Sequence, residues 1–473
     1  MQRRKFIQNT AMLSGGLMLT KLPSYAKPGS LYPTVRIPID KRKFSSKVIE
    51  QTITAFQSSV KDKELGWLFG NCFPNTLDTT VSYQNVNSKP DTYVITGDID
   101  AMWLRDSSAQ VWPYLCFIKQ DKELQQLIVG VINRQTVCIL RDPYANAFYD
   151  DANKTGEWKN DQTDMKPGLH ERKWEIDSLC YPIRLSHKYW KLTNDTQPFD
   201  TQWQQAVKLT LKTFKEQQRK HNDGPYHFQR NTAWATDGVP MNGYGYPVKP
   251  VGLICSAFRP SDDATVFSFL VPSNFFAVVS LRQAAEMMEK IVGDTNTANE
   301  LKALAAEVDE ALKLHAVIEH SQYGKIYAYE VNGYGSYNLM DDANVPSLLS
   351  LPYLDALPRE DPIYQNTRKM LLSLNNPFFF KGTAGEGIGG PHAGKDMIWP
   401  LGIIIRGLTS DNDEEIKECI GMLKNSNAGT GFMHESFNKN DAANFSRKWF
   451  AWANTLFGEF LWKIYKDKPY LLT

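Results

Sequence analysis

Six of the helices that the sequence predicts open with charged or aromatic residues and then continue as apolar segments. The openings are at residues 103–106 (WLRD), 174–177 (WEID), 259–263 (RPSDD), 341–344 (DDAN), 396–399 (DMIW) and 447–449 (RKW). Other predicted helices, such as 198–219 and 296–316, are amphipathic and rich in Lys, Glu and Gln, as is typical of an outer layer. Two kinds of helix in one chain favour a double ring, with the apolar helices inside.

Helical periodicity dominates the chain, and strand-like alternation is confined to short pieces such as residues 325–329 (KIYAY). The predicted helices lie near residues 46–60, 102–118, 122–141, 176–192, 198–219, 262–290, 296–316, 342–351, 361–374, 396–408, 412–424 and 447–465. These twelve helices make six pairs, and we expect an all-α fold.

The six polar openings have one common explanation if the inner helices run in the same direction. Their N-terminal ends then meet at one rim, and each brings free N–H groups and the positive end of a helix dipole. An ordinary N-cap explains any single cluster, because Asp and Ser are favoured at helix starts. Six clusters, most with Trp or Arg close by, favour a polar, aromatic-lined cup.

The N-terminal segment has the pattern of an export signal. Arg3 and Arg4 precede an apolar run over residues 11–19 and a small-residue cleavage site at Ala26. The paired arginines suggest the twin-arginine route, and a general secretory signal is the alternative. We expect an exported, periplasmic protein with one large domain over residues 27–473, because no linker or low-complexity tract divides the chain.

The amino-acid composition limits the kinds of molecule that the protein is expected to bind. The 53 Lys and Arg residues nearly balance the 52 Asp and Glu residues, and no basic cluster follows the signal, so a nucleic-acid partner is not expected. No later apolar run approaches the roughly 18 residues that span a bilayer. The six cysteines form no Cys-x-x-Cys pair; Cys116, Cys138 and Cys180 are predicted to be buried thiols, and a disulfide remains open.

The first candidate for chemistry is the pair of acids after Pro260. Ser261 is a plausible N-cap, so Asp262 and Asp263 lie in the first helical turn, where about 100° separates neighbouring side chains and only one can point into the cup. A helix start lowers the pKa of an aspartate, so a general acid here needs burial or a nearby negative charge. Acids that merely complement the dipole are an equally good explanation.

The second candidate is Glu435, in a loop over residues 428–437 (AGTGFMHESF) between predicted helices. Its two glycines allow the backbone to approach a ligand closely. A solvated loop glutamate is the alternative for this stretch alone. Two carboxyl groups from different rim segments are what glycosidic bond cleavage needs.

The sequence gives little support for a metal site or for a nucleophilic serine. The eight histidines lack zinc-site spacings, and the chain has no Gly-x-Ser-x-Gly elbow. A calcium site built from Asp341 and Asp342 stays open. We expect neither a metal nor another cofactor.

With these residues in view, the chain resembles glycoside hydrolase family 125, bacterial exo-acting α-1,6-mannosidases. The motifs are at residues 96–107 (TGDIDAMWLRDS), 175–182 (EIDSLCYP), 258–263 (FRPSDD), 340–347 (MDDANVPS) and 433–437 (MHESF). The resemblance covers roughly residues 45–465, and several long motifs in one order are far more specific than any single motif.

The resemblance implies an (α/α)6 barrel, inversion at the anomeric carbon and no metal requirement. It implies a general acid at Asp263, with Asp262 as the alternative, and a general base at Glu435, with carboxyl groups roughly 6.5–9.5 Å apart. The residues expected to contact sugar are Trp103, Arg105, Asp106, Asp177, Arg259, His392, Trp399, His434 and Arg447.

The expected partner is an α-mannoside oligosaccharide derived from mannan or an N-glycan. One alternative is another (α/α)6 enzyme, such as a sugar epimerase or an unsaturated glucuronyl hydrolase, because a fold does not fix its chemistry. A non-catalytic glycan-binding protein is the alternative from another class. The sequence leaves the oligomeric state and the glycan source open.

Overall fold

A computed structural model describes residues 32–472 of the chain. The predicted export signal lies outside these residues. Within them, no helix has both the length and the apolar character needed to cross a membrane.

The described residues form thirteen α-helices, of which twelve have eight or more residues. They are α1 (Lys47–Ser59), α2 (Lys63–Cys72), the short α3 (Asn75–Thr79), α4 (Leu104–Val111), α5 (Lys122–Arg141), α6 (Ile176–Thr193), α7 (Thr201–Gln217), α8 (Val271–Met287), α9 (Thr295–His315), α10 (Pro362–Leu371), α11 (Pro400–Leu408), α12 (Asp413–Asn425) and α13 (Ala451–Asp467).

The inner ring consists of α4, α6, α8, an irregular inner segment over residues 341–354, α11 and α13. Along the ring, α4 packs on α6, α6 on α8, α11 on α13, and α13 closes back on α4. The inner segment is buried, and the Tyr181 hydroxyl of α6 donates to the Val345 carbonyl at 2.9 Å. The outer elements α2, α5, α7, α9, α10 and α12 each precede one inner element in the chain. The predicted double ring is confirmed.

Several of the predicted helices are wrong in part or entirely. The predicted helix 342–351 does not form. Pro346 has no N–H group to donate, and the N–H groups of Leu348 and Leu349 donate to the Asp341 carboxylate rather than to backbone carbonyls of a helix. Helix α8 begins at Val271 rather than residue 262, because Asp262 has a left-handed backbone with φ +65°.

Two further helices begin four residues late. The helix predicted from residue 396 begins at Pro400, after a short strand, and the last helix begins at Ala451 rather than residue 447. Arg447 follows a strand and has φ +39°, outside the helical region. Helix α2 has no predicted counterpart. The prediction that Cys116 is buried is wrong, since this thiol lies at the surface, whereas Cys138 and Cys180 are buried; all six cysteines are unpaired.

Short antiparallel strands hold the N-terminal ends of the inner helices. The three-stranded sheets are β3 (Met102–Trp103) with β4 (Ala147–Phe148) and β5 (Leu169–Glu171); β6 (Phe269–Leu270) with β9 (Glu330–Val331) and β10 (Tyr337–Asn338); and β13 (Met397–Ile398) with β14 (Ser436–Asn438) and β15 (Asp441–Ser446). The two-stranded sheets are β1 (Val81–Val86) with β2 (Lys89–Val94), β7 (Val317–His320) with β8 (Gly324–Tyr327), and β11 (Phe379–Lys381) with β12 (Glu386–Ile388).

The three larger sheets decide where the rim residues lie. Strand β3 leads into α4, β6 into α8, and β13 into α11, so the residues beside these junctions face a common end of the ring. A bridge between Gly97 and Phe450 joins the segment before α4 to the start of α13. Only glycine fits at 97, because a Cβ atom would lie 2.5 Å from the Trp449 carbonyl oxygen and φ is +127°.

Candidate active site

Arg105, in the first turn of α4, is the buried centre of a cluster of carboxylates. Its Nη1 donates to Glu175 at 2.6 Å and to Asp177 at 3.0 Å, and its Nη2 donates to Asp262 at 3.2 Å. Asp106 lies 3.5 Å from its Nε. One cation therefore faces four carboxyl groups away from bulk water, an arrangement that is costly unless protons remain bound to some of them.

Asp262 occupies a strained backbone position at the edge of this cluster. Its Oδ1 accepts hydrogen bonds from Trp103 Nε1 at 3.3 Å, Arg105 Nη2 at 3.2 Å and Asn146 Nδ2 at 3.2 Å. Its carbonyl oxygen accepts from Lys173 Nζ at 2.8 Å. A left-handed conformation costs free energy in a non-glycine residue, so the surrounding bonds hold this carboxyl in place.

The neighbouring Asp263 has a different environment. Its side chain is 0% exposed, whereas that of Asp262 is 18% exposed. The Thr236 hydroxyl donates to Asp263 Oδ1 at 2.7 Å, and His392 Nδ1 lies 3.6 Å from Oδ2. Of the two acids, Asp262 is the one whose carboxyl is accessible from the cup, and Asp263 supports His392.

Glu435 lies beside the start of the inner helix α13, three ring positions from α8. Its Oε2 accepts from the Ser446 hydroxyl at 2.8 Å, and its Oε1 lies 3.4 Å from Arg447 Nη1. Arg447 also forms an ion pair with Asp98, and its Nε donates to that carboxylate at 2.9 Å. This side of the cup has two carboxylates around one cation and a hydroxyl donor.

Asp106 connects the two sides of the cup. Its charge interacts with Arg105 and Asp262 on one side and with Arg447 on the other. Burial, reinforced by the charge of Asp262 and opposed by both arginines, raises the pKa of Asp106 to about 6. The charges of Asp262 and Glu435 are thus linked through a single buried carboxyl and its two arginines.

His392 and Trp399 form an aromatic wall of the cup next to Asp263. Their ring centroids are 6.0 Å apart in an edge-to-face arrangement. The Trp399 indole N–H is buried and meets no acceptor in the described part of the chain. A buried donor without a partner is rare in a closed core, so a ligand hydroxyl is a suitable acceptor for it.

Three of the residues predicted to contact sugar are engaged elsewhere. Asp177 is fully buried on Arg105. Arg259 Nε donates to Glu330 at 2.8 Å beneath the rim. The His434 ring stacks on Phe445 at 3.6 Å between centroids, and burial lowers its pKa to about 4, so it is neutral. These three side chains are held by protein partners, and their contact with a sugar stays a prediction.

The cluster also contains residues that the sequence did not single out. Glu175 and Asp98 belong to two of the recognised motifs, which was an available signal. Asn146, Lys173 and Ser446 carry no such signal and join the site only through the fold.

The two aspartates considered for calcium already have donors. Asp341 accepts the Leu348 and Leu349 N–H groups, and Asp342 Oδ2 accepts from the Ser261 hydroxyl at 2.8 Å. Within residues 32–472, no group of three or more His, Cys, Asp and Glu side chains has the geometry of a metal site. These acids shape the inner segment and hold Ser261 beside Asp262.

The sequence is similar to those of known proteins over most of its length. The family described as metal-independent alpha-mannosidase (GH125) matches residues 62–462. A relative from Schizosaccharomyces pombe (strain 972 / ATCC 24843), the meiotically up-regulated gene 157 protein, is 42% identical over 449 residues, which are 91% of this chain and 88% of the relative.

Solved structures agree with the sequence match. A metal-independent alpha mannosidase from Streptococcus pneumoniae, in a non-productive substrate complex with alpha-1,6-mannobiose, is 39% identical, with a TM-score of 0.86 over 90% of this chain and 100% of that one. A bacterial glucoamylase complexed with acarbose (TM-score 0.51, 13% identity, 79% of this chain and 50% of that one) and a GH78 rhamnosidase of Bacillus sp. GL1 (TM-score 0.53, 13% identity, 85% and 35%) share the fold alone. The chain belongs to the GH125 family of metal-independent alpha-mannosidases, and it is a glycoside hydrolase.

Proposed function

We propose that this enzyme is an exo-acting α-1,6-mannosidase that removes non-reducing terminal mannose from oligosaccharides with inversion at the anomeric carbon. The linkage is supported by the Streptococcus pneumoniae relative, which was solved with alpha-1,6-mannobiose. The observation that carries the mechanism is the pair of carboxyl groups of Asp262, in the segment before α8, and Glu435, which binds Ser446 and Arg447 just before α13. Asp106 interacts with Asp262 on one side and with Arg447 on the other.

In this mechanism Asp262 is the general acid and Glu435 is the general base. Asp262 protonates the glycosidic oxygen as the bond to the anomeric carbon breaks. Glu435 accepts a proton from a water molecule that attacks the opposite face of the sugar. The partial exposure of Asp262 favours it over Asp263, whose buried carboxyl is bound to Thr236 and faces His392.

The rest of the cup orients the terminal mannose. We propose that His392 and Trp399, which pack edge to face, contact one face and one hydroxyl of the sugar. The charge of Asp106 interacts with the proposed acid Asp262 and with Arg447, which binds the proposed base. Trp103 and Arg105 act on the substrate through Asp262, since each donates a hydrogen bond to its carboxylate.

The test is hydrolysis of mannobioses with α-1,2, α-1,3 and α-1,6 linkages, followed by proton NMR during the first minutes. We expect cleavage of the α-1,6 isomer and initial release of β-mannose. Initial release of α-mannose contradicts inversion, and equal cleavage of all three isomers contradicts the linkage preference. An α-1,6-mannotriose labelled at its reducing end supports exo action if its first products are unlabelled mannose and labelled mannobiose, whereas labelled mannose with unlabelled mannobiose contradicts it.

Asp262→Asn and Asp263→Asn form a matched pair that distinguishes the two candidate acids. We expect the Asp262 variant to lose about 10²–10⁴-fold in kcat on α-1,6-mannobiose. It should retain much of its rate on 2,4-dinitrophenyl α-mannoside, whose leaving group needs no proton. The Asp263 variant should lose rate on both substrates together, and the opposite pattern assigns the acid to Asp263.

We also infer that the protein is exported, on the basis of the arginine pair and apolar run before Ala26. The mass of the protein recovered from the periplasm of its bacterial host tests this. A mature chain that starts after Ala26 is expected, and a full-length cytoplasmic protein contradicts export.

A further inference from the structure

Asp262 has surroundings that favour its ionised form, which is the wrong form for a general acid. Burial acts to raise the pKa of this carboxyl, but Arg105 and Lys173 outweigh burial and lower the pKa to about 2. A lone aspartate in this position would have no proton to donate at neutral pH. The proton that the mechanism needs must therefore be held by an additional group.

Glu175, the residue before helix α6, is the group in the right place. The two nitrogens Nη1 and Nη2 of one Arg105 guanidinium hold the carboxyls of Glu175 and Asp262 side by side. A hydrogen bond between the two carboxyls raises the pKa of Glu175 and lowers that of Asp262, and it needs a proton on Glu175, because two ionised carboxylates cannot form such a bond. Glu175 Oε2 accepts from Arg105 Nη1 at 2.6 Å and from the Ser178 hydroxyl at 2.9 Å. Its Oε1 is buried, and no donor among residues 32–472 reaches it. A proton between the two carboxyls satisfies this oxygen.

We propose that Glu175 is a positioning residue that holds one proton in a hydrogen bond to Asp262 and so keeps that proton available to the general acid between turnovers, an inference that rests on the proposed function. Asp262 Oδ1 already accepts three hydrogen bonds, so Oδ2 is the oxygen left to take up the proton. Glu175 itself is fully buried and does not touch the substrate.

The charges around the pair support one retained proton. The cations that face it are Arg105 and Lys173, joined by His392 when that ring is protonated, and the acids are Asp106, Glu171 and Asp177. His170 also faces Asp262, but burial lowers its pKa and keeps it neutral. Burial, opposed by Arg105 and reinforced by the charge of Asp262, raises the pKa of Glu175 well above its usual range.

The proton balance over one turnover is closed. Before the reaction the pair holds one proton and a charge of −1. Asp262 gives this proton to the departing oxygen, which keeps the electron pair of the broken bond, and Glu435 takes one proton from the attacking water. Repulsion between the two ionised carboxylates then favours recapture of a proton from solvent, while Glu435 releases its own.

The main test compares Glu175→Gln with the wild type on two substrates. Glutamine keeps the shape and the contact with Arg105 but cannot share an acidic proton. We expect kcat on α-1,6-mannobiose to fall about 10- to 100-fold and kcat on 2,4-dinitrophenyl α-mannoside to change less than about threefold. A general acid is active only while protonated, so the alkaline limb of kcat/KM should move to lower pH in this variant.

Asp177→Asn is the matched control, because Asp177 accepts from the same Arg105 nitrogen and affects Asp262 through its charge. We expect this variant to lose similar rate on both substrates. Equal losses on both substrates with an unmoved alkaline limb in Glu175→Gln overturn the shared proton and leave a structural role. A wild-type rate and pH profile overturn it as well.

Two further measurements keep the outcomes separate. If Asp262→Asn hydrolyses mannobiose at the wild-type rate, the assignment of the acid fails, whatever Glu175→Gln does. If only Glu175→Gln behaves as wild type, the shared proton alone fails. A neutron structure of the deuterated wild-type enzyme at neutral pH needs no variant: a deuteron between Glu175 and Asp262 is expected, and its absence from both carboxyls contradicts the proposal.

Discussion

Two buried arginines at opposite ends of the inner ring have contrasting surroundings. Arg105 lies at the N-terminal end of α4 and faces four carboxyl groups. Arg184 of α6 lies at the other end, 3.6 Å from the ring centroid of Trp112 and 4.9 Å from that of Tyr353. The acid that interacts with it there is Glu459, which accepts from the Tyr353 hydroxyl at 2.9 Å.

The difference separates what holds the ring together from what the reaction needs. At the end of the ring opposite the cup, which we call the closed end, aromatic rings and one acid are sufficient to bury an arginine. At the cup, the excess of carboxylates opposes folding, since unpaired charge is costly to bury. Stability is commonly lower where catalysis needs charge, so we attribute the excess at the cup to function.

The largest expected effect comes from changing one glutamate at each end. Glu435→Gln removes the proposed base, so we expect kcat on α-1,6-mannobiose to fall by about 10³-fold or more. Glu459→Gln is the same chemical change at the closed end and should leave kcat within about threefold. A large loss in the Glu459 variant would mean that the two ends are coupled, and a small loss in the Glu435 variant would remove the base assignment.

The next effect is on stability and compares the arginines directly. Arg105→Met leaves several buried carboxylates without their cation and should lower the free energy of unfolding by about 3–5 kcal/mol at pH 7. Arg184→Met loses cation–π contacts and should cost about 1–2 kcal/mol. Denaturant unfolding measures both changes. The Arg105 deficit should shrink at pH 5, because protonation neutralises the unpaired carboxylates, and a pH-independent deficit would contradict this account.

The smallest effect is a gain in stability at the cup. The folded pKa of Asp106, about 6, exceeds its ordinary value of 3.8, so ionisation destabilises the folded state. This cost is absent below pH 3.8, grows between pH 3.8 and 6, and is complete above pH 6. Asp106→Asn should therefore raise the free energy of unfolding by about 3 kcal/mol at pH 8 and by almost nothing at pH 4.

Glu459→Gln supplies the comparison at the closed end. Burial, opposed by Arg184, raises the pKa of Glu459 to about 7, so its stabilising effect should emerge only at a higher pH than that of Asp106→Asn. Unfolding curves recorded from pH 4 to pH 9 give both profiles. Identical profiles for the two variants would mean that ionisation of a buried carboxyl destabilises the two ends of the ring equally.

Sequence periodicity was sufficient for the long helices and failed where side chains take over backbone hydrogen bonds. The predicted bounds of α5, residues 122–141, coincide with the observed helix, and those of α6 differ by one residue. At the inner segment, the Asp341 carboxylate captures N–H groups that a helix would use. No periodicity of apolar residues reports such a contact.

For the candidate site, too, the sequence predicts some features and not others. The motifs predicted a base at Glu435 and an acid at Asp263, with Asp262 as the alternative, whereas the exposures of the two aspartates depend on the backbone at Asp262, whose side chain is partly exposed while that of Asp263 is buried. The carboxyl groups that accept hydrogen bonds from Arg105 lie 70 to 157 residues away along the chain. Only the closed ring brings these groups together. The sequence therefore identifies the candidate acids but not the neighbouring groups that set their protonation.

The closure of the ring by α13 has a consequence for the timing of activity. The loop that carries Glu435 is fastened to this helix, because the Asn454 side chain accepts from the Met433 N–H at 2.9 Å and donates to the Met433 carbonyl at 3.1 Å. The bridge between Gly97 and Phe450 ties the same helix to the segment before α4. A nascent chain still attached to the ribosome, with α13 inside the exit tunnel, has no assembled pocket. Hydrolysis therefore begins only after translation has passed this helix.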